Sequence, residues 1–565
     1  MFELKTRSVV LSVIACCLLF ATPVYSQPST PALDTYSPDT LLVSFMPGTQ
    51  AAIQAEAHRS ANATVVRTLT GSDVKLVQVQ SGTVNRGVEA YRRNPNIEHA
   101  ERNFRRVIYL PSTVEGSESI STLTFDNFNE QWNLHNLGQE FGLTLSFNGN
   151  YLYPSYEGAP DADIDAPEAW SISHGDSSIT IAILDTGVAC GHLDLQGKCA
   201  YSLSFVSDKS TTTEDILGHG THVAGIAAAN TDNGIGIAGV GWNSSIAALK
   251  TCWEDDSNII YGVILGVCDD SDVIEAINHA SATGHQVISM SFAGSESNIF
   301  LEDAIDSAWA NGAILVAAAG NTYTDDILYP AGYQNVISVG STDHQDNLSA
   351  FSNHGAAASL LAPGSHIVST VPGEFCGQAV GEPSDCYDTK SGTSMAAPHV
   401  AGLTALMMAR YPAASNSDIR TALESTAEGT GALLQNMRAW SEHGRINMHA
   451  ALLNDPTGPG NQTPTSVLVQ SPPVLSTVNA SRGSKFGKAV VFITDDLGAA
   501  VSGASVTGTF SSPFTEQLIA TTGNDGSAEF MTELSVKGGV TFEFCVTDID
   551  TSLEFPISGN ECATF

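Results

Sequence analysis

Apolar residues are spaced in three different ways along this chain, and each spacing predicts its own architecture. Near the start the pattern is half-buried. An amphipathic strand at 40–45 is followed by a Pro47-Gly48 turn, a helical stretch at 50–60, a strand pair, a helix near 84–93 and a strand at 97–101. Read in order this is β-α-β-β-α-β, a small α+β unit. The middle of the chain instead carries short runs that are apolar at nearly every position, at 179–184, 286–292, 313–319 and 335–340, set between helical stretches. Strands buried on both faces need that composition, and their alternation with helices predicts an α/β domain: a parallel sheet with helices on both faces. Beyond Val467 the period drops to two and turn signals such as Asn524-Asp525-Gly526 recur, as in an all-β sandwich.

Polar, aperiodic stretches at 112–121 and 455–465 separate these units. At the front, Lys5 and Arg7 precede an apolar stretch from Val9 to Ala21, and Val24-Tyr25-Ser26 precedes Gln27. This is the layout of a secretory leader cut near Ser26. No later apolar run is long enough to span a bilayer. Val13-Ile14-Ala15-Cys16 also resembles a lipoprotein processing site, which gives a second reading with a lipid anchor at Cys16; it ranks behind because the apolar run continues through Leu18, Leu19 and Phe20. The expected organisation is a leader at 1–26, an α+β domain at 27–110, a linker at 111–125, the α/β domain at 126–454, a linker at 455–466 and the sandwich at 467–565.

With 565 residues, 42% of them hydrophobic, the chain can bury a large core in several domains. Its net charge of −37 is uneven: 12 of the 23 basic residues and 50 of the 60 acidic ones lie beyond Phe125, whereas 27–125 is balanced. So acidic a body argues against nucleic acid as a partner and fits a solvated surface. Without the leader, Cys190, Cys199, Cys252, Cys268, Cys376, Cys386, Cys545 and Cys562 remain as four close pairs. An even number suits an oxidising compartment, and neighbour pairing is the simplest connectivity. A zinc site is disfavoured because no C-x₂-C spacing occurs.

The chemistry concentrates at three places. In Gly392-Thr393-Ser394-Met395-Ala396-Ala397-Pro398-His399, two small residues precede a serine and an apolar helical run follows it, so Ser394 is expected at the start of a buried helix with Pro398 in its first turn. A serine hydroxyl needs a base to remove its proton and an acid group to orient that base. The run at 179–184 ends in Asp185-Thr186-Gly187, which sets a carboxylate at a strand's C-terminal edge, where ligand and catalytic groups collect in open α/β sheets. Gly218-His219-Gly220-Thr221-His222 opens a further small-residue helix. The order Asp, His, Ser excludes the α/β-hydrolases, which run Ser, Asp, His and carry G-x-S-x-G, whereas Ala396 stands in the fifth place here.

These three motifs resemble the signatures of the subtilisin-like serine endopeptidases, over a match from about Gln131 to Leu453, and Phe128–Leu134 and Ile164–Trp170 are similar to mature N-terminal segments of the thermitase-like branch. The resemblance implies a subtilisin-like fold and an acyl-enzyme mechanism with Asp185, His219 and Ser394 as the triad. It implies that Asn321, ending Ala317-Ala318-Ala319-Gly320-Asn321, is the oxyanion donor. Ser291-Phe292-Ala293-Gly294 and Ala318-Ala319-Gly320 would be the pocket walls before the scissile bond, with Ala293 where the family commonly has glycine. Thr231-Asp232-Asn233-Gly234-Ile235-Gly236-Ile237 is similar to the family's calcium loop, so Asp194, Asn233 and the carbonyls of Thr231, Ile235 and Ile237, with Asp126 as a further match, would hold a structural Ca²⁺. The domain at 27–110 looks like the family's inhibitory prodomain, its Arg102-Asn103-Phe104-Arg105-Arg106 tail threading the cleft until cut. The partners implied are protein or peptide substrates and the protein's own prodomain, with no nucleic acid and no membrane span, in a secreted monomer. The rival class is an inactive, peptide-binding homologue.

Overall fold

The computed structural model describes residues 35–108, 131–142, 145–147, 150–152, 155–206, 212–254, 266–373, 386–428, 440–457, 467–469, 473–479, 484–495, 501, 503–523, 527–537, 540–550 and 562–565. The expected leader with Cys16, the linker at 111–125, Asp126, Cys376, the Asn524-Asp525-Gly526 turn and residues 458–466 of the second linker lie outside them.

The N-terminal unit runs β1 (Tyr36–Phe45), α1 (Ala51–Ser60), β2 (Thr64–Thr68), β3 (Lys75–Gln78), α2 (Val84–Arg92) and β4 (Ile97–Ile108), the order the spacing predicts. Leu41, Val43, Val77, Val88 and Tyr91 close its core. The basic tail at 102–106 is the continuation of β4, where Phe104, Arg106 and Ile108 alternate into buried positions as far as its end.

The central domain starts with four short strands, β5 (Glu140–Gly142), β6 (Leu145–Phe147), β7 (Asn150–Leu152) and β8 (Ser155–Glu157), paired β5 with β8 and β6 with β7. There follow α3 (Ala166–Trp170), β9 (Thr180–Asp185), β10 (Cys199–Ser204), α4 (His219–Ala228), β11 (Ser245–Lys250), β12 (Cys252–Glu254), β13 (Gly266–Asp269), α5 (Asp270–Ala282), β14 (Val287–Met290), α6 (Ile299–Ala310) and β15 (Ile314–Ala318). The domain finishes with β16 (Val336–Thr342), β17 (Leu360–Pro363), β18 (Ile367–Val371), β19 (Cys386–Lys390), α7 (Thr393–Arg410), α8 (Asn416–Ser425), β20 (Gly444–Arg445) and a short helix at Met448–Leu453.

Eight of these strands form one parallel sheet in the order β10-β11-β9-β14-β15-β16-β17-β20. Successive residues of β9 enter opposite cores, as a sheet covered on both faces requires. Ile181 and Ile183 pack with Val223 and Ala224 of α4 and Val400 and Leu403 of α7. Ala182 and Leu184 pack with Val273 and Ile277 of α5 and Leu301 and Ile305 of α6. The order reverses beside β9, and Asp185 is its last residue.

The N-terminal unit joins this domain strand to strand. A second sheet has the order β12-β13-β4-β1-β3-β2, so β4 is shared between the N-terminal unit and the β12–β13 hairpin. It pairs antiparallel to β13, with Ile108 opposite Gly266, Val107 opposite Val267, Arg106 opposite Cys268 and Arg105 opposite Asp269. Charge complements the pairing: Arg67 reaches Asp272 at 2.6 Å and Glu275 at 2.7 Å, and Arg105 reaches Asp269 at 3.2 Å. Buried Asn103 accepts from the Ser271 N–H at 2.9 Å in the first turn of α5, where the helix leaves its N–H groups unpaired.

The C-terminal unit holds β21 (Val467–Val469), β22 (Val474–Asn479), β23 (Ser484–Asp495), β24 (Ser505–Phe510), β25 (Gln517–Thr521), β26 (Ser527–Met531), β27 (Val536–Lys537), β28 (Glu543–Asp550) and β29 (Cys562–Thr564). A five-stranded sheet built on β23 and a four-stranded sheet, β25-β24-β28-β29, enclose Val491, Phe510, Phe514, Phe530 and Phe544, which makes it a sandwich.

Neighbour pairing of cysteines holds for Cys190–Cys199, Cys252–Cys268 and Cys545–Cys562, and Cys386 is disulfide-bonded as well. Cys252 and Cys268 stand opposite each other in the β12–β13 ladder, on the strand that receives β4. Their bond closes a separation of 16 residues, so replacing both by serine should cost about 3 kcal/mol of stability by loop closure. Calorimetry of the double variant should show the central domain melting several degrees early; an unchanged midpoint would show that the hairpin holds without its crosslink.

Candidate active site

Asp185 sits where β9 leaves the sheet, and its own loop captures it: the Thr186 N–H donates to Asp185 Oδ1 at 2.7 Å. His219 is the first residue of α4. Its Nδ1 lies 2.8 Å from Asp185 Oδ1 and 3.0 Å from Oδ2, and both side chains are buried. A carboxylate only accepts, so Nδ1 carries a proton, and in the neutral ring the lone pair is on Nε2. That Nε2 is buried and has no hydrogen-bond partner. Strand and helix come this close because position 220 lacks a side chain: a Cβ on Gly220 would stand 2.2 Å from the Gly187 carbonyl.

One residue of this constellation was not singled out in the sequence. Asp215 is buried and accepts from Thr186 Oγ1 at 2.7 Å, from the N–H groups of Gly218 at 2.9 Å and Thr221 at 2.8 Å, and from Thr221 Oγ1 at 2.6 Å. It thus caps the start of α4 and locks that helix to the Asp185 loop. The only sequence signal was an acid four residues before a helix-opening histidine, which is an ordinary capping pattern.

Ser394 is the second residue of α7 and is buried. Its Oγ donates to the Ser291 carbonyl at 3.2 Å, and the Ser291 hydroxyl donates to the Ser394 carbonyl at 3.0 Å. Pro398 explains the second contact. It is the sixth helical residue, not part of the first turn as expected, and lacks the N–H that would bond the carbonyl four residues back, that of Ser394. Ser291, the residue after β14, supplies the missing donor. Asn321 is fixed by Thr393, whose N–H and Oγ1 reach its Oδ1 at 2.8 and 2.9 Å, while the Gly320 N–H donates to Thr393 Oγ1 at 3.2 Å. These contacts to Oδ1 fix the orientation of the amide.

Of the expected pocket walls, Ala293 is hydrogen-bonded to an extended chain. Its N–H and carbonyl exchange hydrogen bonds of 3.1 and 2.9 Å with Val107, so β4 lies between β13 and the 291–294 segment. Gly294 pairs with Tyr329 and also lies against β4, where a Cβ would stand 3.1 Å from the Arg105 carbonyl and 3.2 Å from Arg106 Nη1. Phe292, Ala318 and Ala319 direct their side chains into core clusters, so they contribute backbone rather than pocket surface.

The expected calcium residues meet in part. Buried Asp194 accepts from Asn233 Nδ2 at 2.7 Å, from the Ile237 N–H at 2.8 Å and from the Tyr387 hydroxyl at 3.2 Å. The Ile235 N–H reaches Asn233 Oδ1 at 3.1 Å, whereas the Thr231 hydroxyl turns to Ala229 and Gly239. The loop wraps tightly, since a Cβ on Gly236 would lie 2.1 Å from Asp194 Oδ2. Asp126, the sixth expected residue, is outside the described residues.

An imidazole oriented by a carboxylate at the start of α4, together with a serine and an anchored amide at the start of α7, is the set of groups a serine hydrolase uses. The profile of the subtilase family matches residues 176–444, and that of the fervidolysin N-terminal prodomain matches 26–103. The chain is 34% identical to a thermophilic serine proteinase of Bacillus sp. (strain AK1) over 74% of its own length and 88% of the relative's. It is 41% identical to thermitase of Thermoactinomyces vulgaris over 51% of its length and 93% of thermitase. The fold is similar to that of fervidolysin from Fervidobacterium pennivorans, with a TM-score of 0.56 at 24% identity, covering 90% of this chain and 71% of that one. The chain belongs to the subtilase family and is a subtilisin-like serine endopeptidase; nothing favours the inactive alternative. Among the described residues no helix is long and apolar enough to cross a membrane.

The helix carrying Ser394 also sets a pH limit. His399, buried in α7, bonds the Met395 carbonyl through Nδ1 at 2.8 Å and Asn133 Nδ2 through Nε2 at 2.7 Å, which suits the neutral ring. Burial pulls its pKa down from 6.5 to about 4. The unfolded chain therefore binds this proton first, so the contribution is whole above pH 6.5 and falls by roughly 3 kcal/mol as pH drops through that window to 4. Denaturant unfolding of His399→Gln should show a flatter decline between pH 6.5 and 4 than the parent; parallel profiles would refute it.

Proposed function

We propose that Ser394 attacks the scissile carbonyl, that His219 Nε2 takes the hydroxyl proton and returns it to the leaving amine, and that Asp185 holds the ring and stabilises its charged form. Asn321 Nδ2 donates to the oxyanion, its amide already oriented by Thr393. The observation that carries this reading is the buried, unpartnered Nε2 of a ring whose Nδ1 is tied to Asp185. In this reading Ser394 Oγ gives up its bond to the Ser291 carbonyl and hands its proton to that lone pair. The substrate adds as a strand between β13 and Ala293, the place β4 holds, so the prodomain blocks the site until the chain is cut beyond it. Secretion through the leader at 1–26 belongs to the same reading, and the disulfides support an oxidising destination.

Ser394→Ala should abolish casein hydrolysis, keep the fold by circular dichroism, and leave the precursor uncut if maturation is self-catalysed. Normal casein turnover by the purified variant would sink the assignment.

Calcium is the second part of the proposal. A buried carboxylate, an amide oxygen and loop carbonyls are an all-oxygen set of the kind Ca²⁺ prefers, and the tight loop at Gly236 brings backbone against Asp194. Asp194, Asn233 and the carbonyls of Thr231, Ile235 and Ile237 would hold the ion, whose role is structural. An ion bound only by the folded state adds about 2.7 kcal/mol at 100 times its Kd. EDTA should shorten the half-life at high temperature without stopping brief assays in the cold, and Asp194→Ala should remove most of that difference. Equal inactivation rates with EDTA and with excess calcium would rule the site out.

A further inference from the structure

Arg106 is one of the largest fully buried side chains among the described residues, and it belongs to the strand that lies where substrate would lie. Its guanidinium meets Asp270 in a two-pronged contact, Nε to Oδ1 and Nη2 to Oδ2, both at 2.6 Å, and Nη1 donates to the Glu296 carbonyl at 2.5 Å. Asp270 is itself fully buried at the start of α5. Asn298 Nδ2 donates to the same Oδ2 at 2.8 Å, and Asn298 is held in turn by the Tyr333 hydroxyl and by capping α6. The receptor thus belongs to the catalytic domain: a carboxylate, a carbonyl and an amide fixed by two helix starts.

The neighbouring contacts differ in kind. Arg105 makes one 3.2 Å contact to Asp269 and is partly exposed, and Arg67 lies on the body of the prodomain, away from the shared strand. Only Arg106 combines full burial with a position paired on the enzyme edge, opposite Cys268 and next to the residue that bridges Ala293.

When the prodomain leaves, Asp270 loses its guanidinium partner and keeps the Asn298 amide on Oδ2, so an arginine entering that place regains a two-pronged, charge-assisted contact. A substrate strand adding in the register of β4 puts one side chain in that place. We propose that Asp270 makes this enzyme select arginine at the substrate position opposite Cys268, which is a specificity-determining role for a residue outside the triad. Lysine cannot replace it, because an ammonium offers a point charge where the site presents a planar two-oxygen face and a carbonyl beside it. Since Val107 and Ile108 follow Arg106 and still pair with β13, the selected arginine lies no nearer than the third residue before the cleaved bond.

The proposal rests on the serine-endopeptidase reading, and the test separates the two. Matured wild-type enzyme is used to digest denatured casein, and cut sites are mapped by mass spectrometry; kcat/KM is then measured on the best-cut sequence as a synthetic peptide and on versions with that arginine changed to lysine or alanine. Arginine should be enriched at one fixed position, and either change should lower kcat/KM by roughly thirtyfold or more, the lower end expected when one partner of a buried charge pair is removed. In Asp270→Asn, the ratio between arginine and alanine peptides should collapse to within about threefold of one. Vigorous cleavage with no arginine enrichment in the wild-type map overturns the proposal and leaves the endopeptidase intact, even if the variant fails to mature. A purified wild-type enzyme that cuts nothing overturns the underlying reading instead.

Discussion

A carboxylate buried beside an imidazole is tolerable only if its lone pairs are used, and this demand organises the centre of the molecule. Asp185 meets it through Thr186 and His219. For the ring to arrive, α4 must start against the edge of β9, which requires the bare position at Gly220. For α4 to stay there, its first N–H groups must be answered, which Asp215 does while also holding the Asp185 loop through Thr186. The site is therefore rigid because of a network whose members mostly never touch substrate. The same economy appears around Ser394, where Pro398 leaves a carbonyl without its helical donor and Ser291 takes the place.

Charge divides the chain by task. The prodomain places Arg67, Arg105 and Arg106 against Asp269, Asp270, Asp272 and Glu275, in or just before the first turns of α5. Acidic groups there also face the positive end of the helix dipole, so the patch costs little while exposed. The partly solvated pairs steer and position; the fully buried Arg106–Asp270 pair carries the discrimination.

The central motifs were legible because each residue type is dictated locally: small residues for close approach, a carboxylate at a strand end, a histidine opening a helix. The strands at 179–184 and 313–319 were legible because both faces are buried, which erases polar positions. What stayed hidden depends on partners far along the chain. Asp215 looks like any capping acid until Thr186 is brought to it. The stretch at 102–106 reads as a charged tail because the receptors of its arginines lie more than 160 residues on. Pro398 read as a first-turn proline because nothing local announces that Ser291 will replace its missing donor. Ala318 and Ala319 share a motif with Asn321, but strand alternation sends their side chains into core.

β4 is one strand with two owners. Its first half completes the prodomain sheet, and its last residues complete the edge of the enzyme, where the main-chain ladder is indifferent to sequence and the side chains are not. Mutations on the two sides of that edge therefore cannot drift independently. A lineage that altered the pocket around Asp270 would at the same moment spoil the fit of its own leader, and with it the step that releases active enzyme. Heredity of cleavage preference is in this way written twice in one reading frame, and the leader, though discarded, keeps a record of it.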